Sequence, residues 1–165
     1  MIKRNRWYEF DTAAPLIEYL QEAKTLLAGK QLTALYNAEW RGTTEGPVVL
    51  CFGEVCLVIC SMRISTADIA MMDTTQFQKD PVLNSLPCAV DSPYLHQVLS
   101  DISVSRFSEA HEIDPETDEM RPAGGDYFST VSFTFRSGSE LSVCGCSVAD
   151  DGYMFVDVEE RPRDS

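Results

Sequence analysis

Apolar positions first recur at helical spacing over residues 15–28, where Leu16, Ile17, Leu20, Ala23, Leu26 and Leu27 gather on one side of the repeat. The pattern predicts an amphipathic helix. Asp11 or Thr12 stands where a cap is needed, and Gly29 tolerates the positive φ on which helices often end. From Gln31 onward the alternation is mostly that of β-strands.

Two β-rich runs, Val48–Phe52 and residues 55–60, are separated only by Gly53 and Glu54. Glycine at the first central position suits a type II′ hairpin turn. The expected register sets Phe52 opposite Val55, Cys51 opposite Cys56, Leu50 opposite Leu57 and Val48 opposite Ile59. One face is then Val48, Leu50, Phe52, Val55, Leu57 and Ile59. A second hairpin is expected from residues 131–135 and 139–144 around Arg136, Ser137 and Gly138, with Gly138 in the left-handed position of a three-residue loop. There Phe133 opposes Leu141 and Val131 opposes Val143, so the two apolar faces match almost position for position.

The match continues outward. Residues 68–73 align with 152–157 at the offset of 84 that also sets Leu57 on Leu141 and Cys60 on Cys144, and residues 27–35 align with 99–107 at an offset of 72. The difference is an insertion containing residues 109–126. The expected fold is α+β, mainly β, in a single domain over residues 1–165. It is a tandem duplication of a helix plus four-strand unit, with repeats at about 15–73 and 93–159 and a linker at about 74–92. Two sheets related by a pseudo-twofold would bury their matching faces as an antiparallel sandwich or partly open barrel, with the N-terminal helix packed on one sheet.

The outer faces differ. In the second hairpin Ser132, Thr134, Glu140 and Ser142 suit water, whereas the first carries Val49, Cys51, Cys56, Val58 and Cys60. A contiguous apolar patch of that kind needs a cover. The helix over residues 15–28 is the expected one, and a homodimer partner through the outer face of the first repeat is the alternative.

Charge adds a second asymmetry. The net charge is -13, and residues 1–82 hold 8 basic and 10 acidic side chains against 5 and 16 in residues 83–165. A chain this acidic is a poor match for nucleic acid or an anionic membrane, both of which demand Lys and Arg. Lys3, Arg4 and Arg6 are followed by Trp7, Tyr8 and Glu9 instead of an apolar leader, and the longest apolar run is too short to span a bilayer. A cytoplasmic location is therefore expected, with the six cysteines as thiols.

Candidate chemistry is sparse. Cys51 and Cys56 face each other across the first hairpin, at a pair within reach of a disulfide or a shared metal, and Cys60 lies further along. Cys144 and Cys146 share a strand face in the second repeat. Zinc spacing is absent, so buried packing is the plainer role of these thiols. His96 belongs to a short helix predicted to start at Ser92, and His111 sits among carboxylates. Asp114, Glu116 and Asp118 alternate like the start of a calcium loop, but Glu119 stands where that loop needs glycine and Gly125 where it needs a bidentate acid. Nucleophile elbows, phosphate-cradling loops, dinucleotide fingerprints and paired-histidine zinc motifs are also absent. With no catalytic constellation and no cofactor expected, the leading reading is a non-enzymatic acidic interaction module, such as an inhibitor or immunity-type protein that neutralises a basic toxin or nuclease. Its contact residues would be Glu109, Glu112, Asp114, Glu116, Asp118, Glu119, Asp150 and Asp151, with Tyr127 and Tyr153 as aromatic anchors. A redox or metal protein using Cys51, Cys56 and Cys60, and a small-ligand β-barrel, are the alternatives.

Overall fold

In a computed structural model, the described residues are 1–37, 43–44, 47–63, 65–147 and 154–161. The fold is α+β, mainly strands, with two antiparallel sheets and one main helix. In chain order the elements are β1 (Arg6–Phe10), α1 (Ala13–Leu27), β2 (Ala34–Asn37), β3 (Thr43–Thr44), β4 (Val48–Phe52), β5 (Val55–Arg63), β6 (Thr66–Asp73) and α2 (Thr74–Lys79). There follow a 3-10 turn (Leu83–Ser85), β7 (Leu99–Ile113), β8 (Met120–Phe135), β9 (Glu140–Ser147) and β10 (Met154–Arg161). The first sheet has the order β1-β6-β5-β4-β2 and the second β3-β10-β9-β8-β7.

Both hairpins adopt the register that their alternation requires. Leu50 pairs with Leu57, Cys51 with Cys56, Phe133 with Leu141 and Val131 with Val143. Gly53 at φ 74° and Gly138 at φ 89° take the left-handed turn positions that a Cβ would strain. Sheet order is also parallel in the two halves: β2, β4, β5 and β6 follow one another as β7, β8, β9 and β10 do, each set with one extra strand added beyond its last member. Pairing places Leu35 beside Leu50 as it places Ile102 beside Phe133, and lays residues 154–161 along β9 as 66–73 lie along β5. These equivalences depart from the offsets of 72 and 84 by more than the single-residue shifts of the bulges in β5 and β7, because the connections between strands differ in length: β5 ends at Arg63 and β6 starts at Thr66, whereas β9 ends at Ser147 and β10 starts at Met154.

A single apolar core takes the inner faces of both sheets together with one stripe of α1. Val48, Leu50, Leu57 and Ile59 from the first sheet and Val131, Phe133, Leu141 and Val143 from the second are buried in it, with Ala13, Leu16, Leu20, Ala23 and Leu27 of the helix. Each fully buried Leu or Phe contributes roughly 1.5–3 kcal/mol of transfer free energy. Helix α1 therefore spends its apolar stripe on the main core, packing on β7, β8 and β1.

That arrangement corrects the expected cover. The outer face of the first sheet, Val49, Cys51, Cys56, Val58, Ala70 and Met72, is packed by Phe77 of α2 and Leu83 of the 3-10 turn. The segment read as a linker is the cover, because a chain leaving β6 at Asp73 can fold straight back over the sheet it has just completed. Val49 and Val58 are 0% exposed, which leaves this face closed to a homodimer partner. The second outer face is also less open than its polarity suggests, since Ser142 is buried against the Ser132 hydroxyl at 3.0 Å and Ser132, Thr134 and Glu140 are half-buried.

Two further expectations change. Strand β1 was not visible in the locally basic N-terminal stretch, yet its alternating residues pair antiparallel with β6 from Arg6 opposite Met71 to Phe10 opposite Ala67. Conversely, Ser92 starts no helix. His96 has φ 70°, its N–H goes to the Leu32 carbonyl, and Tyr94 is buried in the main core with its hydroxyl donating to the Glu140 carbonyl at 2.9 Å. Anchoring Tyr94 fixes this segment in turns, so the second half has no counterpart of α1 there.

Candidate functional site

The insertion read as an acidic loop is instead a β-ribbon. β7 and β8 pair from Leu99 opposite Phe135 out to Ile113 opposite Met120, whereas β8 pairs with β9 only over residues 130–134. Beyond Arg106 and Phe128 the two strands run on as an arm about 25 Å long, at roughly 3.3 Å per residue. Strand pairing extends because Pro115, between Asp114 and Glu116, confines the reversal to a tight turn.

The turn is ordered by its own carboxylates and backbone. Asp114 accepts the Glu116 N–H at 2.9 Å, the Asp114 carbonyl accepts the Asp118 N–H at 2.9 Å, and Asp118 takes φ 55°, which Asp tolerates better than most residues. The Arg121 guanidinium lies 3.6 Å from the Asp114 carboxylate. Between residues 109 and 126 there are seven acidic side chains and one basic one, Arg121. Among them, Glu109, Glu116, Asp118 and Glu119 are exposed. Glu112 is placed on the arm opposite Arg121.

At the tip Ile113 and Met120 oppose each other with 60% and 67% of their surfaces exposed. Sequence reasoning missed this pair by treating the segment as a solvated loop. The available signal was that Ile113 and Met120 bracket the Pro115 turn, as the closing residues of a hairpin do.

The root of the arm is held firmly. Phe128 is fully buried and its carbonyl accepts the Ser65 N–H at 2.9 Å. Tyr127 stacks on Phe107 at 5.5 Å between ring centroids, over Gly125, where a Cβ would come within 2.8 Å of the Tyr127 ring. Arg106 donates to Asp126 at 2.6 Å, and Asp126 also accepts the Ala14 N–H at 2.8 Å. Those bonds hold the Asp126 carboxyl below its usual pKa, the Arg106 bond contributing most. Thr12, at the N-cap, makes no side-chain cap bond, so the helix start is satisfied in part from the arm.

Thus the predicted residues Glu109, Glu112, Asp114, Glu116, Asp118, Glu119 and Tyr127 share one arm, Tyr127 at its root and the acids toward its tip. Asp150, Asp151 and Tyr153 lie outside the described residues.

The thiols are a separate feature. Cys51 and Cys56 bring their sulfurs to 2.8 Å on the buried outer face of the first sheet. Cys60 is half-buried at the β5 bulge, where burial pushes its thiol up. Cys88 is exposed and bridges to Tyr36, whose hydroxyl pKa is raised chiefly by burial. Among the described residues no three His, Cys, Asp or Glu side chains come together as a metal-holding group, and no helix is long and apolar enough to cross a membrane. Phe52, Phe128, Phe133 and Phe135 are buried in the main core. Comparison with protein-family models, curated proteins and solved structures finds no match for this chain.

Proposed function

We propose that this chain is a non-enzymatic interaction module that docks the acidic β7–β8 arm on a basic protein. The observation that carries this reading is the projecting ribbon itself, with its exposed apolar pair ringed by carboxylates. An apolar centre with a charged rim is the usual anatomy of a specific interface. Carboxylates concentrated on one projection steer a cationic partner toward it, which raises the association rate more than the final affinity. An inhibitor or immunity-type role, in which the arm occludes the basic surface of a toxin or nuclease, fits this chemistry. Asp150, Asp151 and Tyr153 are assigned to the same surface on charge and residue type alone.

The scaffold is read as a duplicated four-strand unit whose two sheets stack as a pseudo-twofold sandwich. Support comes from the matching strand order and hairpin register of the two halves. On this reading the arm is what the second copy added, which explains why the excess charge falls after residue 83.

The test is affinity capture on immobilised full-length chain, in parallel with a variant carrying Glu109→Gln, Glu112→Gln, Asp114→Asn, Glu116→Gln, Asp118→Asn and Glu119→Gln. A basic protein retained by the wild type at low salt, released at high salt and bound at least about tenfold more weakly by the variant is the expected result. Equal retention by both chains would overturn the assignment.

A further inference from the structure

The arm leaves the buried thiol pair of the opposite sheet unexplained, and its geometry supports a separate chemistry. Cys51 and Cys56 are directly opposed one step in from the two-residue turn, and their Sγ atoms lie 2.8 Å apart. In such a hairpin the pair flanking the turn, Phe52 and Val55, is hydrogen-bonded, so the next pair is not. At a non-hydrogen-bonded pair the Cα atoms stand about 4.5 Å apart, and a disulfide spans roughly 4.4–6.8 Å. The two sulfurs are thus placed to join without backbone movement.

We propose that Cys51 and Cys56 form a redox-active dithiol, converted to a disulfide by hydrogen peroxide. Cys56 is the attacking sulfur. Its thiolate accepts a hydrogen bond from the Cys51 thiol, which draws the Cys56 pKa down, while the same bond and burial push Cys51 up and keep it protonated. In the first step the Cys56 thiolate attacks one peroxide oxygen. An S–O bond forms, the O–O bond breaks, and the departing hydroxide recovers the proton that Cys56 gave up, leaving as water. In the second step the Cys51 sulfur attacks the sulfenic sulfur of Cys56. The S–S bond forms, the S–O bond breaks, and the Cys51 proton leaves with the hydroxyl as a second water. Two thiols lose two electrons and two protons, and hydrogen peroxide becomes two waters.

Access selects the oxidant. Cys51 is 4% exposed and Cys56 0%, which shuts out a protein disulfide. The pair nevertheless lies one residue from the exposed turn Gly53 and Glu54, where opening of the hairpin end admits a molecule the size of water. The Thr74 hydroxyl, 3.6 Å from Cys56 and donating to the Gly53 carbonyl at 2.7 Å, ties the start of α2 to the same turn.

Mass spectrometry of the full-length chain tests this. Reduced protein is treated with hydrogen peroxide, its remaining thiols are alkylated in denaturant, and it is cleaved after glutamate. Cleavage at Glu54 falls between the two cysteines, so their disulfide appears as two linked peptides, with fragmentation separating Cys56 from Cys60 and Cys88, which share its peptide. The expected result is a Cys51–Cys56 link, loss of two alkylatable thiols, and full reversal by dithiothreitol. The Cys51→Ser variant, which keeps a hydroxyl to donate to Cys56 but has no sulfur to resolve it, should lose that reversible change and leave Cys56 as a sulfenic acid that dimedone traps. Should that variant fail to fold, the wild-type linkage map decides alone. Unchanged thiols, a link between other cysteines, or sulfinic acid at Cys56 with Cys51 still free would each overturn the proposal.

Discussion

Asp126 and Ala14 stand 112 positions apart, and one hydrogen bond of 2.8 Å joins the carboxylate of the first to the backbone N–H of the second. Because Arg106 holds the other carboxylate oxygen at 2.6 Å, a single side chain fixes both the start of α1 and the root of the arm. Replacing Asp126 with alanine should lower the melting midpoint by a few degrees at neutral pH.

The same contact has a pH signature. Its carboxyl is held below the usual range in the folded chain, so the stabilisation is present above the ordinary carboxylate pKa of about 4 and is lost as pH falls through the lower folded value. Melting curves of wild type and Asp126→Ala should therefore stay apart down to about pH 4 and converge only in more acid solution. Convergence well above that pH would contradict the assigned contact.

Ile113 and Met120 lie at the exposed end of the ribbon, away from the core. The double variant Ile113→Ser, Met120→Ser should change stability by no more than about 0.5 kcal/mol, as surface substitutions do. Its affinity for the arm's basic partner should fall by roughly tenfold, the loss of an anchor worth more than about 1 kcal/mol. Denaturant titration and binding isotherms on the same preparations separate the two effects.

Phe77 is 2% exposed and packs on Tyr36 with 4.9 Å between ring centroids. Phe77→Ala should cost about 3 kcal/mol in urea unfolding. It should also raise binding of a hydrophobic dye, because Val49 and Val58 lose their cover. A variant equally unstable but without added dye binding would mean that α2 is not what shields that face.

Gly53 has φ 74° with open space where a Cβ would stand. Gly53→Ala should therefore cost only the backbone term, about 1 kcal/mol, seen as a lower denaturant midpoint with an unchanged slope. A loss of several kcal/mol would mean that the hairpin end is packed more tightly than its exposure indicates.

Legibility in the sequence followed the range of the interaction. Both hairpin registers were readable because alternation has a period of two and a glycine turn sets the phase, so Leu50 can meet only Leu57, and Phe133 only Leu141. The acids of the candidate site were readable as a charge cluster, but not as an arm. Whether residues 109–113 and 120–124 pair depends on a contact across the turn that carries no apolar period. Strand β1 escaped notice for a similar reason: its partner β6 lies about sixty residues away.

The residues alone determined the helix α1, the two inner faces and the turn positions, since each rests on spacing within a dozen residues. Tertiary structure decided what those faces meet. Helix α1 buries its stripe in the main core against β7, β8 and β1, and the segment after β6 covers the outer face with Phe77 and Leu83. An apolar stripe records only that it must be buried. Which of several apolar surfaces it finds is settled by chain connectivity and by the volume each surface leaves to fill.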